Sequence, residues 1–177
     1  MIKKPSVSKL VKILDKPALV GWANKIGLEG VNLKAYRTKA MADGTNIHAQ
    51  IHAFLADKKP FDDLKTQNNF KKFMSNKKIL GTEKDIETSF FVGRYDIKLG
   101  INGKTWMCDF KKSDGIYLDN TLQLVAYRMA EKTDCIAIIK TPEFTFHPIN
   151  IKNYNPYENI LEALYIIYMN KQLLGYN

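Results

Sequence analysis

One stretch constrains this chain more than any other: Asp96-Ile-Lys-Leu-Gly-Ile-Asn-Gly-Lys-Thr-Trp-Met-Cys-Asp109-Phe110-Lys111. It reads as two strands joined at Asn102-Gly103, a strong short-range signal for a hairpin. Side chains two apart on a strand share a face, so Asp109 and Lys111 point the same way. The hairpin can bring Asp96 alongside them. Two carboxylates on one face can hold a hard divalent cation through oxygen. A lysine beside that cation can orient a water, or steady a phosphate oxygen as a compact point charge. These are the parts of metal-assisted phosphodiester hydrolysis. The same three residues also suit an exposed polar face with no chemistry, and the rest of the chain has to decide between the two.

At 177 residues the chain is long enough for one domain, 1–177, with a real core. No apolar run approaches the ~20 residues of a membrane span. The start, Met1-Ile-Lys-Lys-Pro-Ser6, lacks the apolar stretch of a secretory leader. The expectation is a cytoplasmic protein, phage or bacterial in type, without a membrane partner. Cys108 and Cys135 form no CxxC pair and fall in strand-like segments, which suits buried thiols in a reducing compartment. The net charge of +9 is uneven. Residues 1–80 hold 16 basic against 6 acidic side chains, and residues 81–177 hold 11 against 12. A polyanionic partner explains a basic N-terminal half; a lysine-rich solubility surface is the alternative.

Periodicity and capping residues predict the elements. Helices are expected at 7–14, started by Ser6 or Ser8, and at 18–26. Another should run to about Ala56 from a cap at Asp43 or Thr45. A basic amphipathic helix is expected at 62–76. Strands should follow at about 87–92, 94–101 and 104–111, then a helix at 119–131. Strands at 135–140 and 144–149 and a last helix from Pro156 to about Leu174 complete the chain. The pattern predicts an α/β fold in which 1–80 is mainly helical and basic, and 81–177 carries the catalytic sheet and its helices.

With the acidic hairpin at its centre, this order resembles the PD-(D/E)XK nuclease superfamily. Within it, the chain is similar to the RecB-like branch, the mitochondrial genome-maintenance exonucleases and their phage relatives. The resemblance covers Pro5 to about Lys140. It is carried by Pro5-Ser-Val-Ser with Trp22 following, Gly44-Thr-Asn-Ile-His48, Glu87-Thr88, Val92-Gly-Arg-Tyr-Asp96, Asp109-Phe-Lys-Lys-Ser113 and Gln123-Leu-Val-Ala-Tyr127. It implies a restriction-endonuclease-like core, a central mixed sheet flanked by helices, and an N-terminal helical cover. It also implies a metal held by His48, Asp96, Asp109 and the backbone carbonyl of Phe110. Lys111 would activate water or stabilise developing charge, with Glu87 as a nearby supporting acid. Gln123 and Tyr127, one helical turn apart, would contact the nucleic-acid backbone or brace Lys111. Ser113 belongs to the same nucleic-acid-binding set, as do Lys71 and Lys72 from the basic helix. Taken singly, His48 also reads as an ordinary helix histidine, Tyr127 as core and Glu87 as surface.

His48 and His52 have the i, i+4 spacing of a helical zinc pair, but Ala49 stands where a zinc peptidase needs its glutamate base. Two cysteines cannot hold the four-cysteine iron–sulphur cluster of some members of the branch, so no cluster is expected. The cofactor expected is Mg²⁺ or Mn²⁺, the latter suited by an imidazole ligand. The expected function is a metal-dependent DNA exonuclease preferring single-stranded ends, in phage-type recombination or replication. Trp22, Tyr36, Phe61, Phe70 and Phe73, set between lysines, suit stacking on single strands. The alternatives are a structure-selective endonuclease on the same core and a catalytically idle nucleic-acid-binding module.

Overall fold

Five strands, β1 (Lys78–Glu87), β2 (Val92–Ile101), β3 (Lys104–Lys111), β4 (Cys135–Lys140) and β5 (Thr145–Ile149), form one sheet in chain order. The structure is a computed structural model and describes residues 3–14, 17–112 and 115–176. Three of the four strand pairs are antiparallel, whereas β3 and β4 run parallel. Parallel neighbours need a crossover, and α5 (Leu118–Glu131) supplies it. The β2–β3 turn forms as the sequence demands, with positive φ at Asn102 (49°) and Gly103 (75°). The architecture is a mixed α/β sheet flanked by helices.

The chain divides into two compact units, Met1–Leu14 with Asn68–Asn177, and Asp15–Gln67. The first holds the sheet. Its main core joins α1 (Val7–Val11), α5 and α6 (Asn155–Leu173) to the sheet through Val7, Leu10, Leu122, Val125, Ile136 and Leu161. A second apolar cluster sets Phe70 and Phe73 of α4 (Leu64–Met74) against Phe144, at ring separations of 5.0 and 6.4 Å. Phe110 of β3 meets the same ring at 6.3 Å.

The second unit contains α2 (Pro17–Leu28) and α3 (Leu33–Asp57). Asn32 caps α3 by accepting the Ala35 N–H at 3.0 Å. The helix then runs unbroken through 43–45, where a start was expected. Instead of capping, Thr45 turns its hydroxyl back to the Met41 carbonyl at 3.0 Å, a bond available to threonine inside a helix. The expected strand at 87–92 is likewise replaced. Thr88 Oγ1 accepts the N–H groups of Phe90 and Phe91 at 3.2 and 3.1 Å, closing a turn between β1 and β2. β1 itself, the edge strand before that turn, was not anticipated. α1 is shorter than predicted and is capped by Ser6. Among the described residues, no helix is long and apolar enough to cross a membrane.

Candidate functional site

The hairpin places Asp109 and Lys111 on one face, as strand alternation requires. Lys111 Nζ lies 2.7 Å from Asp109 Oδ2. Asp109 is only 2% exposed. Its buried Oδ2 has no well-aligned hydrogen bond, so the contact is an ion pair rather than a directed bond. Asp96 reaches the same spot by a break in β2. Tyr95 joins the core beside α5, yet Lys98, three residues on, bonds Glu131 of that same helix at 3.1 Å. Strict alternation would put residues three apart on opposite faces. Between them Asp96 turns its carboxylate into the sheet and accepts the Phe110 N–H at 2.8 Å, past the Ile97–Cys108 pair.

Burial first, and the neighbouring charge of Asp109 second, push the Asp96 carboxyl well above the ordinary carboxylate range; the Phe110 N–H and Lys111 oppose them. Burial alone would lower Lys111, but Asp109 and Asp96 outweigh it and raise its pKa, so it stays an ammonium. Two acids crowded this way favour a cation, whose charge would relieve their repulsion.

β1 contributes a third carboxylate that sequence reasoning missed. Carboxylate oxygens of Glu83 and Asp96 lie within 4.8 Å of each other, close enough to hold one metal ion. β1 carries three acids. Asp85 makes a two-pronged pair with Arg94 at 2.7 and 3.1 Å. Glu87 pairs with Lys4 at 2.6 Å. Among the described residues Glu83 has no such cationic partner, and its backbone sits in the left-handed region at φ 46°. Glu87, expected as the supporting acid, is exposed and pairs with Val92 at the far end of the β1–β2 ladder, four residues along β2 from Asp96. Glu83, not Glu87, is the β1 acid that lies near Asp96. The signal was the register: Thr82 pairs with Ile97 and Lys84 with Tyr95, so Glu83 falls level with Asp96.

Gln123 and Tyr127 share a face of α5, and Gln123 Nε2 donates to Tyr127 Oη at 3.1 Å. Tyr127 is 3% exposed, so it serves as packing beside the acids rather than a direct backbone contact. Burial pushes its hydroxyl up to about 12, and the charges of Asp109 and Asp96 act the same way. Gly93 leaves it room, since a Cβ there would lie 2.8 Å from the Tyr127 ring.

Phe110 commits its N–H to Asp96 and its ring to Phe144. Lys71 and Lys72 are exposed on α4. Ser113 lies outside the described residues. His48 is half-buried on α3 of the Asp15–Gln67 unit and His52 is exposed there. His147 on β5 hydrogen-bonds Thr145 at 2.8 Å. The positive charge is redistributed by the fold. The Asp15–Gln67 unit holds 8 basic and 6 acidic residues. The excess sits in two lysine runs of the sheet unit, Lys3, Lys4, Lys9 and Lys12, and Lys71, Lys72, Lys77 and Lys78.

The chain matches no protein-family model and no curated protein. Among solved structures it is similar to the crystal structure of SSO0001, at 18% identity and a TM-score of 0.46, over 94% of this chain and 79% of that one.

Proposed function

We propose that the chain is a metal-dependent DNA exonuclease of the PD-(D/E)XK type, acting on single-stranded ends with Mg²⁺ or Mn²⁺. The observation that carries this reading is the crowding of Asp96 and Asp109 around Lys111, with Asp109 nearly inaccessible and its ion pair at 2.7 Å. A surface salt bridge is ordinarily solvated and worth little; here the carboxylate is buried and the charge of Asp96, itself within 4.8 Å of Glu83, acts on the lysine.

A divalent ion bound by these carboxylates would supply Lewis acidity toward the scissile phosphate and make a bound water more acidic. Asp96 and Glu83 set carboxylate oxygens within 4.8 Å of each other, and Asp109 lies near enough for its charge to act on Asp96. The resemblance read in the sequence adds the Phe110 carbonyl and the His48 imidazole to the donors. Lys111 keeps its proton and presents a fixed positive charge where phosphate negative charge develops. Tyr127 and Gln123 fill the α5 side and limit water around the acids.

The test uses linear and covalently closed single-stranded DNA of one sequence, incubated with protein and Mg²⁺ or Mn²⁺ and followed on a denaturing gel. Degradation of the linear strand with survival of the circle is the expected result. Prompt cutting of the circle replaces the reading with an endonuclease. Binding without cutting of either substrate leaves a nucleic-acid-binding module.

A further inference from the structure

The fold sorts the aromatic residues that lie among the lysines of the N-terminal half. Phe61, Phe70 and Phe73 are 6%, 1% and 8% exposed and belong to cores. Tyr36 remains 47% exposed, and Trp22 half-buried. These two meet across α2 and α3, with ring centroids 5.7 Å apart and planes tilted by 59°. Lys25 follows Trp22 by one turn and Lys39 follows Tyr36 by one turn, so each cation lies on its ring's side of its helix. Both lysines are exposed. Lys34 and Arg37 add to them, and Glu29 is the sole acid between residues 25 and 39. Beside Tyr36, the α3 face carrying Asn32, Lys34, Ala35, Thr38, Lys39 and Ala42 lies open to solvent.

An apolar protein partner would gain nothing from four cations around two rings. A polyanion with flat apolar faces would gain from both, since bases stack on rings while phosphates sit against lysines. We propose that the Trp22–Tyr36 pair is a stacking site for one or two bases of single-stranded DNA, with Lys25 and Lys39 engaging the adjoining phosphates. This rests on the nuclease reading for its choice of ligand, but it is carried by the unit that holds none of the acids of β1, β2 and β3.

The chain has two tryptophans. Trp106 Nε1 is buried without a hydrogen-bond partner, so Trp106→Phe forfeits no bond and leaves Trp22 as the single reporter. That variant is titrated with oligothymidylate in EDTA, with Trp22 emission and the anisotropy of an end-labelled strand read together. Saturable quenching that tracks the anisotropy is expected. In the otherwise wild-type chain, Trp22→Ala should weaken binding about 5- to 150-fold, the span of one lost base stack. Trp22→Phe should retain most of the affinity, which separates a lost stack from a lost fold. Lys25→Gln with Lys39→Gln should flatten the salt dependence. Strand binding with unchanged Trp22 emission, or equal affinity in Trp22→Ala, overturns the stacking site. Metal-dependent cleavage without quenching removes this site and spares the nuclease; quenching without cleavage does the reverse. No binding by either readout overturns both.

Discussion

The two units of this chain solve opposite problems. The sheet unit holds a large buried apolar core, with Leu10, Met107, Leu122 and Ile136 wholly inaccessible. Across Asp15–Gln67, the buried apolar residues among those described are Ile26, Ile51 and Phe61, while Val20, Leu28 and Met41 are more than two-thirds exposed. On the proposed function, chemistry on a phosphate would need carboxylates fixed to a fraction of an ångström, which dense packing provides. Holding a strand of varying sequence would need accessible rings and charges, which a sparsely packed pair of helices leaves open. The contrast teaches that the weakly packed part of a small protein can serve recognition because it has little buried surface to protect.

The sharpest way to break the comparison is at the acids. Asp109→Ala is expected to cut the cleavage rate by roughly 10³-fold or more and to remove Mn²⁺ binding, whereas Lys111→Ala should lose cleavage yet keep the metal. Rates near wild type, with metal titrations alongside, would reject the site. His48→Ala probes the histidine that the sequence resemblance assigns to the metal: Mn²⁺ affinity should fall more than Mg²⁺ affinity, because imidazole suits the transition metal better. Packing gives the next largest effect. Leu122→Ala should cost about 2–5 kcal/mol in urea unfolding, and Met41→Ala, at a position 71% exposed, should stay within about 0.5 kcal/mol. Comparable losses at both positions would erase the distinction between the units.

Smaller effects sharpen it. Lys71→Glu with Lys72→Glu should weaken strand binding and reduce the slope of log affinity against log salt by about 0.7 for each phosphate no longer neutralised. An unchanged slope would mean that those lysines only face water. Asp96→Asn should stabilise the metal-free protein at neutral pH. Its carboxyl is raised in the folded state, so ionising it opposes folding above the ordinary carboxylate range. The gain in Tm should fade as the pH falls below about 4, where the unfolded chain's carboxyl is also protonated. A variant less stable than wild type at pH 7 would show that the Asp96 charge is compensated after all.

The β2–β3 hairpin was legible because turn chemistry and alternation agree there, and Asp109 with Lys111 needed nothing more. α5 was legible from its apolar stripe, and β4 from its run of buried apolar residues. β1 was not. As an edge strand it shows water most of its side chains, so Ile86 is the one residue of the strand that the fold fully buries and no apolar alternation marks it. Missing β1 led to choosing Glu87 over Glu83, because only the strand's register tells which of its acids is level with Asp96. The start of α3 was misplaced for a different reason. Asp43, Gly44 and Thr45 look like a cap locally, but Asn32 caps the helix first and the chain runs on through them.

The left-handed backbone at Glu83 has a consequence for anyone who alters this protein. An L-residue with a long side chain pays about 1–2 kcal/mol to sit there, and asparagine or glycine pays less. Stability-guided selection, blind to chemistry, would therefore favour Glu83→Asn or Glu83→Gly, and with it the loss of the carboxylate beside Asp96. If the proposed metal site operates, a homologue released from it would drift the same way, and the residue at this one position would mark the change even where Asp96, Asp109 and Lys111 persist.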